Sequence, residues 1–378
     1  MQSSRPGGEG TVAGEKRTEK KHPWVWLLTG LVLIAALAAV MAYRAGTVGE
    51  TEQERLLQEN ERYSFETGAQ QVFAAVDGGV AVGSSTGLQI LDSDGYTVAR
   101  SVVSVTTPAL TVSGTSAAVY DVGGTILRGG DSAGTVTTLD TADTIISANM
   151  NDAGWMALVT EETGYKGKVT VYNAEMQPVY YWHSGNYVLS ARISPDCRTM
   201  AALTMEETGS AVHIFSLSSE TEYAVYRTES LLLFDMDFLG NDRLCAVQDG
   251  GLVFFTTGGA DDGSWSFDGR YLSGYSFGGD GFVTVLLSQY LSGNTGEMCT
   301  VTYGGTVTGQ LTLAEAVQNV SVREKQIAVR YGDSAAVYNQ VLEEQRRASG
   351  VQGARNLVLT EKDRGFLLYS GYCEPLNF

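Results

Sequence analysis

The feature that most constrains this 378-residue chain is a short polar turn that recurs along it. In ISPDCRTMAAL, Ile193 to Leu203, the residues Ser194-Pro195-Asp196 separate two apolar runs, VLSARI and TMAALTM. Proline presets φ for the second position of a tight turn and aspartate tolerates the third, so the segment reads as a hairpin tip. Comparable tips occur at Asp77-Gly78-Gly79, Ser113-Gly114-Thr115, Asn151-Asp152-Ala153-Gly154, Gly240-Asn241-Asp242, Gly278-Gly279-Asp280-Gly281, Glu324-Lys325-Gln326 and Lys362-Asp363-Arg364-Gly365. The spacing from tip to tip is about 36 to 46 residues, the length of a four-stranded propeller blade.

Between the tips lie short alternating runs rich in Val, Ile, Thr, Tyr and Phe, broken by Gly, Asp, Asn and Ser. That is the pattern of strands and hairpins. The first unit reads VAVGSS, TGLQILD, SDG, YTVARSV. Two neighbouring units share more: WMALVTEETGYKGKVTVYN (Trp155–Asn173) parallels TMAALTMEETGSAVHIFS (Thr199–Ser216), each with Glu-Glu-Thr-Gly after an M-A-x-L type strand. The last unit, NLVLT, GFLLYS and YCEPLNF, supplies only three strands. An open sheet edge invites pairing with other chains. The missing outer strand is therefore expected from residues around Arg62–Thr67, closing a ring. The expected fold is an all-β propeller over residues 63–378 with eight blades, or seven if one irregular unit is an insertion.

Ahead of the repeats stands PWVWLLTGLVLIAALAAVMAY, Pro23 to Tyr43. From Trp24 to Tyr43 it carries no charge, and its one hydroxyl is Thr29. A helix of about 20 residues covers roughly 30 Å, the thickness of the hydrocarbon core. Trp24, Trp26 and Tyr43 lie near its ends, where amphipathic rings settle at the interface. A cleaved signal peptide would have a shorter apolar stretch, and the small-residue triplet Ala36-Leu37-Ala38 falls inside the run, so the segment reads as an uncleaved anchor. Lys16, Arg17, Lys20 and Lys21 precede it and Arg44 follows. The positive-inside bias puts the N-terminus in the cytoplasm and the repeats in the extracytoplasmic space at the cell membrane. Residues 1–22 are polar and aperiodic and read as a disordered tail. Residues 44–62, with ETEQERLLQENER, read as a short helical stalk. No later run is long enough to span again; LLLF at Leu231–Phe234 is too short.

The net charge is −18. The tail to His22 holds five Lys/Arg and three Glu, leaving 20 basic and 40 acidic residues beyond it. Such a body repels nucleic acid, and no basic stripe offsets it. Cys197, Cys245, Cys299 and Cys373 are widely separated with no C-x-x-C. They read as small hydrophobes rather than a metal knuckle or disulfide framework.

Ser194-Pro195-Asp196-x-Arg198 followed by an apolar strand resembles the hairpin tip of WD40-like and TolB-like propellers. The run G-x-x-T-G-L-Q-I-L-D-x-D-G, Gly83 to Gly95, resembles the repeats of quinoprotein-like propellers. As a whole the chain is similar to an uncharacterised family of single-pass bacterial membrane proteins with a propeller ectodomain. The resemblance implies fold and topology and carries no catalytic residue. Cys197 stands where such tips have glycine, no WD dipeptide closes a blade, and the tryptophan docking motif of quinoprotein repeats is absent.

Signs of chemistry are sparse. His22 flanks the apolar run, His183 lies in VYYWHSGNY and His213 in AVHIFSL. None has Cys or acidic partners at zinc-ligand spacing. No G-x-S-x-G, H-E-x-x-H or phosphate loop is present. Asp92-Ser93-Asp94-Gly95 starts like a calcium loop but lacks its later ligands, and reads as a turn. Asp235 and Asp237 fall on one face of an inner-type strand. No catalytic residue, metal or cofactor is expected, and the chain is read as a non-enzyme.

The candidate binding residues follow from position. In a propeller the loops joining second to third strands and those joining blades open on one face. Glu161, Glu162, Glu206 and Glu207 fall on such loops in adjacent units. VYYWHSGNYV, Val179 to Val188, reads as the connection between them and carries Tyr180, Tyr181, Trp182 and Tyr187. Aromatic groups beside charge favour binding hot spots; the plain alternative is sheet packing for the rings and solvent for the carboxylates. The expected function is a membrane-tethered scaffold engaging a protein or cell-wall partner at the envelope. The alternatives are a sensor signalling through its single span, and an enzyme or cofactor-binding propeller.

Overall fold

A computed structural model describes residues 62–378, apart from positions 220, 293 and 295. The tail, the apolar segment Trp24–Tyr43 and the stalk expected at 44–62 fall on the undescribed residues, except for Arg62. Among the described residues no helix is long and apolar enough to cross a membrane. The only helical turn described is a 3₁₀ turn at Tyr303–Gly305.

The strands are antiparallel and form eight four-stranded sheets. Seven follow the chain from the inner to the outer strand. Their inner strands are Val72–Val76, Pro108–Val112, Ile145–Met150, Tyr187–Ile193, Leu233–Phe238, Tyr271–Ser276 and Asn319–Arg323, opening blades 1 to 7. Blade 8 takes Asn356–Glu361, Arg364–Leu368 and Tyr372–Asn377 from the C-terminus and Tyr63–Ser64 as its outer strand. Tyr63 pairs with Cys373 and Ser64 with Tyr372. The Phe65 amide extends the seam by donating to the Gly371 carbonyl at 3.0 Å. The count is eight rather than seven, and the expected closure is present, in a strand shorter than Arg62–Thr67.

All eight expected tips join first to second strands. The Ser194 tip shows how. Its hydroxyl accepts from the Thr199 amide (3.0 Å) and donates to Asp196 Oδ1 (2.6 Å), while the Cys197 amide donates to the Ser194 carbonyl (2.9 Å). Cys197 sits at φ 60°, a left-handed conformation that costs a non-glycine residue about 1 kcal/mol. Asp92 behaves as a turn residue, its Oδ1 accepting from the amides of Asp94 and Tyr96.

The core lies between blades. Eight clusters of buried apolar side chains each join two neighbouring blades. Successive strand residues point to opposite faces, so one strand serves two junctions. In Thr199–Glu206, Met200 and Ala202 pack toward blade 3 while Ala201 and Leu203 pack toward blade 5. This is why TMAALT reads as a continuous apolar run. Tyr226 stacks on Phe255 at 4.2 Å across the junction of blades 4 and 5. Burial holds the thiols of Cys299 and Cys373 up to about 12 and pushes that of Cys245 well above its ordinary range. All four cysteines are free.

Polar side chains stitch the inner strands together. Ser147 Oγ and Asn149 Nδ2 donate to the carbonyls of Leu189 and Ala191. Arg192 Nε donates to the Met236 carbonyl at 3.0 Å, and its Nη2 meets Asp235 Oδ1 at 3.1 Å. Asp237 Oδ2 lies 3.5 Å from Arg192 Nε. The Tyr275 hydroxyl completes the chain by donating to Asp235 Oδ2 at 2.9 Å. Asp235 and Asp237 thus brace three blades at the channel wall.

Candidate functional site

The topology assigns each loop to a face. First-to-second tips and third-to-fourth turns share one side; second-to-third loops and blade connections share the other, called here the loop face. Exposed apolar side chains are unequally divided between them. The loop face of blades 3 to 6 carries Tyr165, Tyr187, Met205, Leu231, Leu232, Phe234, Tyr271, Tyr290 and Leu291. The opposite side presents Tyr96 and Val341 at its turns and Val136, Val179, Tyr223 and Val307 at the adjoining ends of outer strands, spread over six blades. Single exposed apolar residues are ordinary, but a contiguous group is not.

Within that face the expected residues divide. Pro178–Ser184 is the outer strand of blade 3, not a connection. The link to blade 4 is only Gly185-Asn186, and Tyr187 begins the next inner strand. Tyr180 is buried, with its ring near Phe215, and Trp182 packs half-buried on Phe215 and His213. These two are structural. Tyr181 and Tyr187 are exposed, under Lys168 and Lys166 at 5.5 and 5.2 Å. Glu162 meets His183 Nδ1 at 3.0 Å and Lys168 at 3.6 Å. Glu206 accepts from Asn186 Nδ2 and Thr204 Oγ1 and lies 3.5 Å from His213 Nε2. Glu161 and Glu207 face solvent.

The shared Glu-Glu-Thr-Gly does not give a shared loop. In blade 3 it opens a turn running from Glu161 to Lys166; in blade 4 the strands extend to Glu206 and resume at Gly209. Gly209 has φ 131°, and a Cβ there would lie 2.2 Å from the Thr228 carbonyl oxygen. Only glycine permits that tight return. Met205 beside this turn is exposed together with Tyr187, its cross-strand partner.

Leu231, Leu232 and Phe234 were not expected as binding residues. Their signal was the LLLF run itself, apolar residues at a blade connection where polar ones are expected. Beside them lies a cleft of about 560 Å³, lined by Leu231, Leu232, Gln248, Asp249 and Trp265 among others. Gln248 Oε1 is buried there without a hydrogen-bond partner.

The channel cluster offers a second concentration of charge. Burial raises the Asp237 carboxyl above its ordinary value, against the lowering effects of Arg192 and the Phe238 amide. About a third of the Asp237 side chain still opens on the channel, so its desolvation comes from surrounding protein rather than full enclosure. Among the described residues no group of three or more His, Cys, Asp or Glu is arranged to hold a metal.

Eight radially arranged four-stranded sheets with a covered seam define a β-propeller of the WD40 and BamB-like architecture. The chain belongs to a family of unknown function, DUF5711, whose profile matches residues 52–369. No curated protein matches the sequence. Among solved structures it is similar to the C-terminal WD40 domain of Sif2, with a TM-score of 0.58, 13% identity, and coverage of 84% of this chain and 98% of that one. It is similar to BamB from Moraxella catarrhalis, with a TM-score of 0.54, 13% identity and the same coverage of each chain. A chain of the mitotic checkpoint complex matches at TM-score 0.50 and 11% identity over 71% of this chain and 86% of that one. At these identities the likeness concerns the fold alone.

Proposed function

We propose that this protein is a membrane-anchored extracytoplasmic propeller whose loop face, on blades 3 to 6, docks a protein partner at the cell envelope. The observation that carries the reading is the concentration of exposed apolar and aromatic side chains on that face. Docking surfaces favour rigid aromatic anchors with charge at the rim. Tyr187 beside Lys166, and Leu231 and Leu232 beside Asp249, have that composition. The sheet beneath supplies rigidity, because each blade is packed on both sides. Anchoring rests on the charge-free run Trp24–Tyr43, and orientation on the basic residues before it.

Proximity labelling from the exported domain in intact cells tests this. The wild-type chain should label one or a few discrete envelope proteins. A Tyr187→Ser, Leu232→Ser variant at equal abundance should lose them. Labelling confined to cytoplasmic proteins, or unchanged in the variant, would overturn the reading.

A further inference from the structure

The cleft beside blade 5 narrows the partner's chemistry, an inference that rests on the docking reading above. Its walls are the exposed Leu231 and Leu232 of the blade 4 to 5 connection and the half-buried Trp265 on the outer strand of blade 5. Gln248 also lines it, with its Oε1 enclosed in the protein. The rim is anionic. Asp249 lines the cleft, Glu229 immediately precedes the lining residue Ser230, and Glu207 precedes Thr208, whose carbonyl accepts from the Ser230 amide at 2.9 Å. All three are exposed, and among the described residues none has an ion-pair partner. Arg270, a nearby cation, is engaged by Glu297.

We infer that this cleft binds an extended peptide segment of a partner protein carrying an apolar side chain flanked by lysine or arginine. The apolar group fills the space between Leu232 and Trp265. The flanking cations reach Asp249 on one side and Glu229 or Glu207 on the other. An extended chain suits this arrangement because alternate side chains point to opposite faces, so an apolar residue can enter the cleft while its neighbours remain at the rim. An acidic or wholly polar segment lacks the complementarity.

The test is fluorescence polarisation with the full-length chain in neutral detergent and a labelled synthetic peptide, GKLKG. Wild type should bind it saturably, with affinity that falls as salt rises. Leu232→Ser and Asp249→Asn should each weaken binding about ten-fold, equivalent to about 1.4 kcal/mol. The analogues GELEG and GKSKG should bind far less. Equal binding of GKLKG and GELEG, or indifference to both Leu232→Ser and Asp249→Asn in variants that melt like wild type, would overturn the cleft assignment. If no peptide binds while envelope labelling still depends on Tyr187, the cleft inference fails and the docking face stands. If labelling is also indifferent to Tyr187 and Leu232, both fail.

Discussion

Removing Arg192 should cost stability in a way that depends on pH. The guanidinium faces Asp235 and Asp237 together, at 3.1 and 3.5 Å. Arg192→Met keeps most of the stem's packing and leaves two carboxylates facing each other at the channel wall. Breaking a buried ion pair from one side costs about 3–5 kcal/mol. Here Arg192 is 16% exposed and Asp237 36%, so solvent screening reduces the expected loss to about 2 kcal/mol at pH 7. At roughly 2.1 cal/mol/K of unfolding entropy per residue, that lowers the melting temperature of a propeller this size by about 3 °C. The sign of the pH dependence follows from Asp237. Its carboxyl already lies above the ordinary aspartate value in the fold, chiefly through burial. An aspartate raised in this way destabilises the fold when ionised, and the penalty fades as pH falls through the folded pKa toward the ordinary value of 3.8. Without Arg192 the penalty grows and the folded pKa rises further. The deficit of Arg192→Met relative to wild type should therefore shrink between pH 7 and pH 4. Scanning fluorimetry or urea titration across that range measures it. Adding Asp235→Asn and Asp237→Asn to Arg192→Met should recover most of the loss at pH 7. A deficit under about 0.5 kcal/mol at pH 7, within the range of exposed pairs, would refute the reasoning. So would a deficit that stays constant with pH.

Three further outcomes are expected. Phe65→Ala, at a buried position between blades 8 and 1, should cost about 3–5 kcal/mol and promote aggregation by loosening the closing strand, read by urea midpoint and light scattering. Cys197→Gly should raise stability by about 0.5–1 kcal/mol by relieving the left-handed backbone, less whatever the Asn151 contact to its sulfur contributes, read by the same midpoint. Alkylation followed by mass spectrometry should modify Cys197 first, because burial keeps Cys245, Cys299 and Cys373 protonated and enclosed.

The blade repeat was legible because its markers are local. Turn chemistry at Asp77-Gly78, Pro195-Asp196 and Lys362-Asp363 is written in adjacent residues, and the spacing of the tips supplies the blade length. Closure by Tyr63–Ser64 followed from counting strands, since a unit with three leaves an edge. The proposed docking face was only half legible. VYYWHSGNYV was expected as a connection because a half-exposed outer strand has a weak apolar pattern. In fact its period of two puts Tyr180 and Trp182 inward and Tyr181 and His183 outward. Glu162 falls on the expected loop while Glu206 ends a strand, and their contacts with His183 and His213 depend on cross-strand register, which sequence spacing does not reveal. LLLF is a local signal too, but its meaning depends on knowing that it lies at a blade connection.

The most direct test of the account places a photo-crosslinking amino acid at single positions of the full-length protein in intact cells. Leu232 and Tyr187 on the loop face are compared with Tyr96, which is more exposed but at a turn on the opposite side. The account predicts a discrete crosslinked partner of envelope origin from Leu232 and Tyr187 and none from Tyr96. Adducts of equal yield from all three positions, or from Tyr96 alone, would contradict it.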